Sequence, residues 1–225
     1  MSDVEPFEER DGESTVRGVL HRPRLPTGDG VVLAHGAGSN CESPVLRTVA
    51  SAFAARGIAA LRIDLPFRQA RSKGPPAPAW AARDRDGLRR ALAALARRCP
   101  GRLMLGGHSY GGRQASMLLA DAPGLARGLL LLAYPLHPPG RPERRRTEHL
   151  ITLRTPTVFV HGTRDPFGLP DELDEALGLM PGPTRLITVR DAGHDLGART
   201  DGAFASTAVA ELLALIGGPA SPALR

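Results

Sequence analysis

A serine flanked by glycines, between a predicted strand and a predicted helix, constrains this chain more than any other feature. The run Gly107-His108-Ser109-Tyr110-Gly111 follows the apolar stretch 103–105 after one further glycine, and the spacing of residues 111–121 predicts a helix. A tight turn at such a junction exposes the serine hydroxyl at the end of the strand. The glycines are needed because a Cβ atom at either position would strike the neighbouring strand or helix. Ser109 is therefore a candidate nucleophile.

A serine hydroxyl needs a base, and the base needs an acid that orients it. At this kind of junction, the acid and then the histidine follow the serine along the chain. Residues 156–161 are typical of a buried strand, which leads into a loop that carries Asp165. Residues 185–189 predict a further strand, and the loop after it carries His194. Because the carboxyl ends of parallel strands meet at one edge of a sheet, we expect these side chains to lie near Ser109.

Two other carboxylates could take the role of the acid. Asp191 lies three residues before His194, and Asp64 ends another predicted strand. A carboxylate as near in sequence to the histidine as Asp191 rarely reaches the correct side of the ring. Asp64 is instead expected to fix the irregular loop after it. We therefore favour Asp165.

The turn after the first predicted parallel strand indicates a place where negative charge could be stabilised. Residues 31–34 form an apolar strand, which is followed by His35-Gly36-Ala37-Gly38. Backbone N–H groups of such a turn can donate to the oxygen of a reacting carbonyl, together with the amide of the residue after the nucleophile. We assign these two donors to the amides of Ala37 and Tyr110.

These motifs together resemble the α/β-hydrolase superfamily over nearly the whole chain. The short form looks like the compact dienelactone-hydrolase-like groups. Residues 35–40 and 111–113 are similar to the subfamily that includes a eukaryotic non-specific-lethal complex subunit. The resemblance implies that Ser109, Asp165 and His194 form a catalytic triad that requires no cofactor. Dienelactone hydrolases use cysteine where this chain has Ser109, so a dienelactone substrate is not carried over.

The reaction hypothesis is hydrolysis of a small carboxylic ester or thioester through an acyl-enzyme. Two alternatives remain open: a non-catalytic interaction protein with this fold, and a peptidase or acyltransferase that uses the same triad. Without a large cap, the pocket should be shallow and suit short acyl chains. We expect its walls among residues that are close in sequence to the motif loops, namely Ser39, Asn40, Phe67, Tyr134 and Phe167.

The order of predicted elements indicates an α/β fold in one domain over residues 1–225. Residues 1–21 predict an antiparallel edge hairpin. The strands and helices that alternate after it predict a mostly parallel sheet with helices on both faces and no large cap. Residues 65–80 and 135–154 are irregular, and the first of them is long enough for a flap. Residues 217–225 are expected to be a frayed tail.

Composition narrows the class of partner. The formal net charge is +6, but the tightest basic cluster lies between Arg141 and Arg146 in a proline-bearing loop without interleaved aromatic residues. This favours a solvated loop over a nucleic-acid site.

No histidine pair has the spacing of a metal site, and no apolar run could span a membrane. Cys41 and Cys99 are expected to be reduced thiols, and the chain to be cytoplasmic and to act on a small-molecule acyl substrate.

Overall fold

The computed structural model describes residues 3–12, 14–197 and 202–217, and its strands form one eight-stranded sheet in the order β1-β2-β4-β3-β5-β6-β7-β8. Antiparallel pairing is confined to β1 with β2 and β2 with β4, while the other neighbours are parallel. The strands are β1 (Asp3–Asp11), β2 (Ser14–Arg22), β3 (Gly30–Ala34), β4 (Ala59–Asp64), β5 (Leu103–His108), β6 (Gly128–Leu132), β7 (Thr157–Gly162) and β8 (Thr184–Val189).

The N-terminal hairpin lies at one edge of the sheet. Gly12 turns the chain with a φ of 61°, a value that suits glycine, and β1 then pairs with β2 along its whole length. Pro6 lies within β1, where its missing N–H is tolerated because β1 has no strand on its other side. The predicted edge hairpin is confirmed.

Helices cover both faces of the sheet, as predicted, because each has one apolar stripe. The stripes of α1 and α6 pack on one face, and those of α3, α4 and α5 pack on the other, giving two buried clusters. The central strands are buried on both faces and consist almost entirely of apolar residues. The helices are α1 (Pro44–Ala55), α2 (Pro66–Ala70), α3 (Ala81–Ala96), α4 (Tyr110–Asp121), α5 (Pro170–Leu177) and α6 (Ala203–Leu215).

The two segments predicted to be irregular differ. Residues 65–80 contain the short helix α2 and a 3₁₀ turn over Pro78–Trp80, so the expectation of an irregular segment is wrong for these parts. Pro66 begins α2 because proline at the first helical position lacks only an N–H that needs no helical partner. Residues 135–154 are mostly irregular, with one 3₁₀ turn over Leu150–Thr152. Neither segment builds a large cap.

Three further expectations concern the rest of the chain. Cys41 and Cys99 are both buried and free, which confirms their prediction as thiols. Within residues 3–12, 14–197 and 202–217, no helix is long and apolar enough to cross a membrane. The predicted frayed tail lies outside the described residues except for Gly217.

Candidate active site

Ser109 occupies a strained turn between β5 and α4. Its φ of 50° and ψ of −117° are unusual for a residue with a side chain, and its N–H donates to Leu132 O at 2.8 Å. A Cβ atom on Gly107 would lie 2.6 Å from the backbone nitrogen of Gly112, and one on Gly111 would lie 2.5 Å from His35 O. Nearby backbone therefore leaves room only for glycine at positions 107 and 111, two residues to either side of the serine.

A chain of hydrogen bonds joins the three residues that the sequence singled out. His194 Nε2 lies 2.8 Å from Ser109 Oγ, and His194 Nδ1 lies 2.8 Å from Asp165 Oδ2. Because the Asp165 carboxylate accepts, Nδ1 carries the proton and Nε2 is left to accept from the serine hydroxyl. Asp165 is 1% exposed, and its other oxygen accepts the Phe167 N–H at 2.9 Å.

Two neutral histidines support the loops that carry Asp165 and His194. His108 Nε2 donates to the backbone oxygen of His194 at 2.7 Å, and His161 Nε2 donates to Gly168 O at 2.8 Å. Burial lowers the pKa of His108 to about 4 and also lowers the pKa of His161. Both rings therefore stay uncharged near neutral pH and act as fixed donors.

The alternative acids lie elsewhere. The Asp191 carboxylate is exposed and pairs with Arg164 at 2.6 Å. Asp64 Oδ1 accepts the N–H of Cys41 at 2.8 Å. Its side chain therefore fixes the loop before α1, while its backbone oxygen accepts from Gln69 Nε2 at 2.8 Å in the segment after it, where the sequence placed its structural role. The structure brings Asp165, of the three carboxylates, to His194.

The turn after β3 is held in place by buried polar side chains. The ring of His35 donates from Nδ1 to Gly36 O at 2.8 Å and accepts the Leu65 N–H at 3.1 Å. The guanidinium of Arg68 donates to four backbone carbonyls. Two of these belong to this turn, Ala37 and Ser39, and two lie farther along the chain, Arg71 and Gly74.

The two amides expected to form an oxyanion hole lie at the same cavity as Ser109. Ala37 and Tyr110 both line it. Neither backbone N–H has an acceptor among the described residues. Tyr110 is also fixed through its side chain, because its hydroxyl donates to Asp84 Oδ2 at 2.6 Å.

Asp84 and Arg68 are site-supporting residues that the sequence reasoning missed. Asp84 is completely buried and also accepts the Phe67 N–H at 3.0 Å, and burial raises the pKa of its carboxyl. A signal for it was present, because Asp84 lies four residues before Leu88 on the apolar stripe of α3. Arg68 follows a proline in a segment without periodicity, and no local pattern marks it.

The cavity at Ser109 has a volume of about 430 Å³. Of the five predicted wall residues, Phe167 lines it, and its ring lies 4.3 Å from that of His194. The other four do not line it. More than half of its lining residues are proline or alanine, and five have polar side chains. The lining residues are Ala37, Pro75, Pro76, Ala77, Pro78, Ala81, Ser109, Tyr110, Arg113, Gln114, Pro135, Arg146 and Phe167.

The four predicted wall residues that do not line the cavity have other contacts. Phe67 and Tyr134 are each 1% exposed. Phe67 packs edge-on against the ring of Tyr110, and the Tyr134 hydroxyl donates to Arg146 O at 2.6 Å. Ser39 offers its carbonyl to Arg68, and Asn40 accepts the Glu42 N–H at 2.9 Å. In the part of the chain that the structure describes, no group of three or more His, Cys, Asp or Glu residues could hold a metal ion.

Comparison with known proteins identifies the family. Residues 28–215 match the model of the alpha/beta hydrolase domain, and the chain belongs to this family. Membership supports hydrolase activity, and it agrees with the resemblance found in the sequence.

Solved structures share the fold at low sequence identity. A dienelactone hydrolase from Anabaena variabilis is 21% identical with a TM-score of 0.75, covering 95% of this chain and 97% of the other. An α/β serine hydrolase without lid from Xanthomonas campestris is 17% identical with a TM-score of 0.76, covering 98% and 97%. An α/β serine hydrolase homologue from Coxiella burnetii is 15% identical with a TM-score of 0.74, covering 90% and 96%.

Proposed function

We propose that this protein is a serine hydrolase that cleaves a small carboxylic ester or thioester through an acyl-enzyme. The observation that carries the proposal is the unbroken line of hydrogen bonds from Ser109 Oγ through His194 to Asp165, each 2.8 Å long. Such a line activates a hydroxyl that is otherwise a weak nucleophile at neutral pH.

The reaction proceeds in two halves. Ser109 Oγ attacks the carbonyl carbon while its proton passes to His194 Nε2, and the carbonyl electron pair moves onto oxygen. Collapse of the tetrahedral intermediate breaks the bond to the alcohol or thiol, which leaves with the proton from His194. Water then attacks the acyl-enzyme in the same way, and Ser109 regains its proton as the acid departs. Asp165 holds the ring of His194 and stabilises its charged form.

The amides of Ala37 and Tyr110 stabilise the oxygen that becomes negative. They line the cavity with Ser109 and have no acceptor within the described residues, which supports this role. One such donor contributes about 3–4 kcal/mol to transition-state stabilisation in serine hydrolases. Both donors are backbone groups, so their contribution does not depend on which side chain stands at either position.

The size of the cavity supports a small substrate. A volume of about 430 Å³ lies toward the lower end of ligand pockets, and prolines 75, 76, 78 and 135 form rigid walls. The proposed acyl group is accordingly short, since a long flexible chain would have to leave the cavity.

The test is labelling of the purified protein with a fluorophosphonate probe, which reacts with activated serines. We expect the wild type to be labelled and Ser109→Ala to stay unlabelled. Ser116→Ala is the matched control, because Ser116 Oγ also lies 2.7 Å from a histidine nitrogen, that of His149, but does not line the Ser109 cavity. A folded wild type that stays unlabelled overturns the proposal, and so does labelling that persists in Ser109→Ala.

A further inference from the structure

Two arginines line the cavity that contains Ser109 and have no carboxylate partner. Arg113 lies on α4 and Arg146 on the segment between β6 and β7, and both reach the cavity. Within the described residues, neither guanidinium lies within salt-bridge distance of an acidic side chain. Arg146 donates one hydrogen bond, from Nη1 to Pro135 O at 3.2 Å.

Two buried hydrogen-bond donors on residues that line the cavity have no acceptor among the residues that the structure describes. The buried Nε of Arg113 has none, and neither has the amide Nε2 of Gln114. Gln114 is completely buried, and its side-chain oxygen already accepts from Arg85 at 3.1 Å. The amide nitrogen is therefore the group that remains for another partner. A buried donor without a partner costs free energy, so these two lining residues favour a bound group that accepts hydrogen bonds.

The charges around the pair do not compensate it. Burial and the positive charge of Arg113 both lower the pKa of Arg146. Tyr134 and His149, which lie beside the pair, are uncharged near neutral pH. The acid that acts most on Arg146 is Glu148, whose side chain is exposed and forms no ion pair with either arginine. Two like charges thus share a partly dehydrated site.

The position of the pair relates it to the reacting bond. Arg113 follows Ser109 by one helical turn, and its N–H donates to Ser109 O at 2.9 Å. One turn advances the helix by about 5–6 Å, so a guanidinium there reaches a group a few bonds away from a carbonyl held at Ser109 Oγ.

We propose that the substrate carries an anionic group, such as a carboxylate, which binds Arg113, Arg146 and the Gln114 amide while Ser109 attacks its ester carbonyl. This substrate class rests on the proposed function and narrows it. Arginine suits the role because its planar donors pair with two oxygens at once. The anion supplies the acceptors that the cavity lacks and offsets the repulsion between the two guanidiniums.

The test compares two esters that differ in one charge. Mono-p-nitrophenyl adipate carries a carboxylate on the acyl side, and methyl p-nitrophenyl adipate is its neutral counterpart. After subtraction of the uncatalysed rate, we expect kcat/KM to be at least about tenfold higher for the anionic ester. A second pair, 4-acetoxybenzoate and its methyl ester, moves the carboxylate to the leaving group. A preference in either pair supports the proposal and shows which side of the substrate the arginines hold.

Variants separate contact from general attraction by a basic surface. Arg113→Gln and Arg146→Gln should each bring the anionic-to-neutral ratio of kcat/KM toward one. Arg141→Gln removes the same charge from the same segment, but Arg141 is exposed and does not line the cavity. It should keep the wild-type ratio. If the anionic-to-neutral ratio of kcat/KM falls equally in all three variants, the proposed binding at Arg113 and Arg146 is overturned. The preference for the anionic ester would then come from long-range attraction by the basic surface.

Each outcome distinguishes this proposal from the proposed function. Fluorophosphonate labelling of every variant reports whether the serine is still activated and the protein folded. A wild type that is labelled and hydrolyses both neutral esters without preferring the anionic one overturns the anion site alone. A wild type that is not labelled overturns both. If Arg113→Gln does not fold, free adipate gives the second reading, since it should inhibit wild-type hydrolysis of the neutral ester and inhibit Arg146→Gln at least about tenfold less.

Discussion

Arg113 and Arg146 line the cavity at Ser109, whereas Arg68 holds the turn that carries Ala37, and the two groups are partnered differently. Arg68 is 7% exposed, and its guanidinium donates to four backbone carbonyls while lying 4.9 Å from the centre of the Phe67 ring. Arg113 and Arg146 lie across the cavity wall with one hydrogen bond to a carbonyl between their two guanidiniums. Arg113 and Arg146 are each only partly buried. The two groups therefore differ both in burial and in how many backbone carbonyls their guanidiniums hold.

The contrast has a physical basis in how the surrounding backbone is satisfied. The carbonyl oxygens that Arg68 holds belong to segments where regular secondary structure supplies no donors, so the guanidinium donates to them in place of water. Removing Arg68 would leave those oxygens without these donors. Arg113 has a side-chain hydrogen bond with Tyr134, and Arg146 holds one carbonyl, that of Pro135, so each supports fewer backbone groups than Arg68 does. We therefore expect replacement of Arg113 or Arg146 to change substrate binding more than it changes the free energy of unfolding.

Arg68→Gln is expected to give the largest effect. Glutamine cannot reach four carbonyls, so the turn that carries Ala37 loses its fixed position, and kcat should fall by about 100-fold, the effect of losing one oxyanion donor. KM should change much less. Arg71→Gln is the control, because Arg71 offers only its backbone carbonyl to Arg68. Activity in Arg68→Gln within about threefold of the wild type would show that the turn holds its shape alone.

Arg146→Gln should behave differently when stability is measured. The wild-type guanidinium makes one side-chain hydrogen bond and is repelled by Arg113, so its removal should change the free energy of unfolding by less than about 0.5 kcal/mol. Arg68→Gln should cost about 1–3 kcal/mol, because it leaves buried carbonyls unpaired. Urea unfolding of both variants measures this difference. Equal losses in the free energy of unfolding would show that Arg68 and Arg146 do not differ in their contribution to stability.

The smallest expected effect is on the pH dependence of stability. Burial and then the positive charge of Arg113 lower the pKa of His149 to about 4, below its value of about 6.5 in the unfolded chain. The unfolded chain therefore binds more protons below pH 6.5, and stability falls as the pH drops toward 4. Arg113→Gln removes one cause, so the pKa of His149 should rise and this fall should become shallower.

Urea unfolding of the wild type and Arg113→Gln at several values between pH 7 and 5 tests this expectation. The change in slope cannot exceed about 1.4 kcal/mol per pH unit, the contribution of one proton. His108 donates to the backbone oxygen of His194, Arg113 is not among the causes of its lowered pKa, and burial is the main cause of its pKa of about 4. It should keep part of the acid dependence in both proteins. A steeper slope in the variant would contradict the influence of Arg113 on His149.

The parts of the site that the sequence predicted are those that depend on local chain geometry. Gly107 and Gly111 predict the turn at Ser109 because their missing side chains leave room for nearby backbone. The placement of Asp165 and His194 followed from strands that end at one edge of a parallel sheet. The fold class rested on the same alternation of strands and helices, and it is confirmed.

The cavity wall could not be predicted in this way. Phe67 and Tyr134 were chosen for their nearness in sequence to the motif loops, and both rings turn into the core. Tyr134 follows Ala133, whose φ of 48° bends the chain at the end of β6, and its ring packs on Phe159. The actual wall combines residues 75–78 with side chains from α4 and from the segment before β7. Their approach depends on tertiary packing that no single segment encodes.

The hairpin edge has a consequence for how copies of the chain meet. Strand β1 leaves one row of backbone groups without a neighbouring strand, and long edges of this kind can pair between molecules. Pro6 interrupts that row because it has no N–H to offer. The three glutamates of β1 are held by arginines of its own chain, in the pairs Glu5–Arg22, Glu8–Arg17 and Glu9–Arg97. A second copy would meet a row of donors interrupted at Pro6 and would have to pack against these ion pairs, so the edge itself opposes growth of the sheet from one molecule into the next.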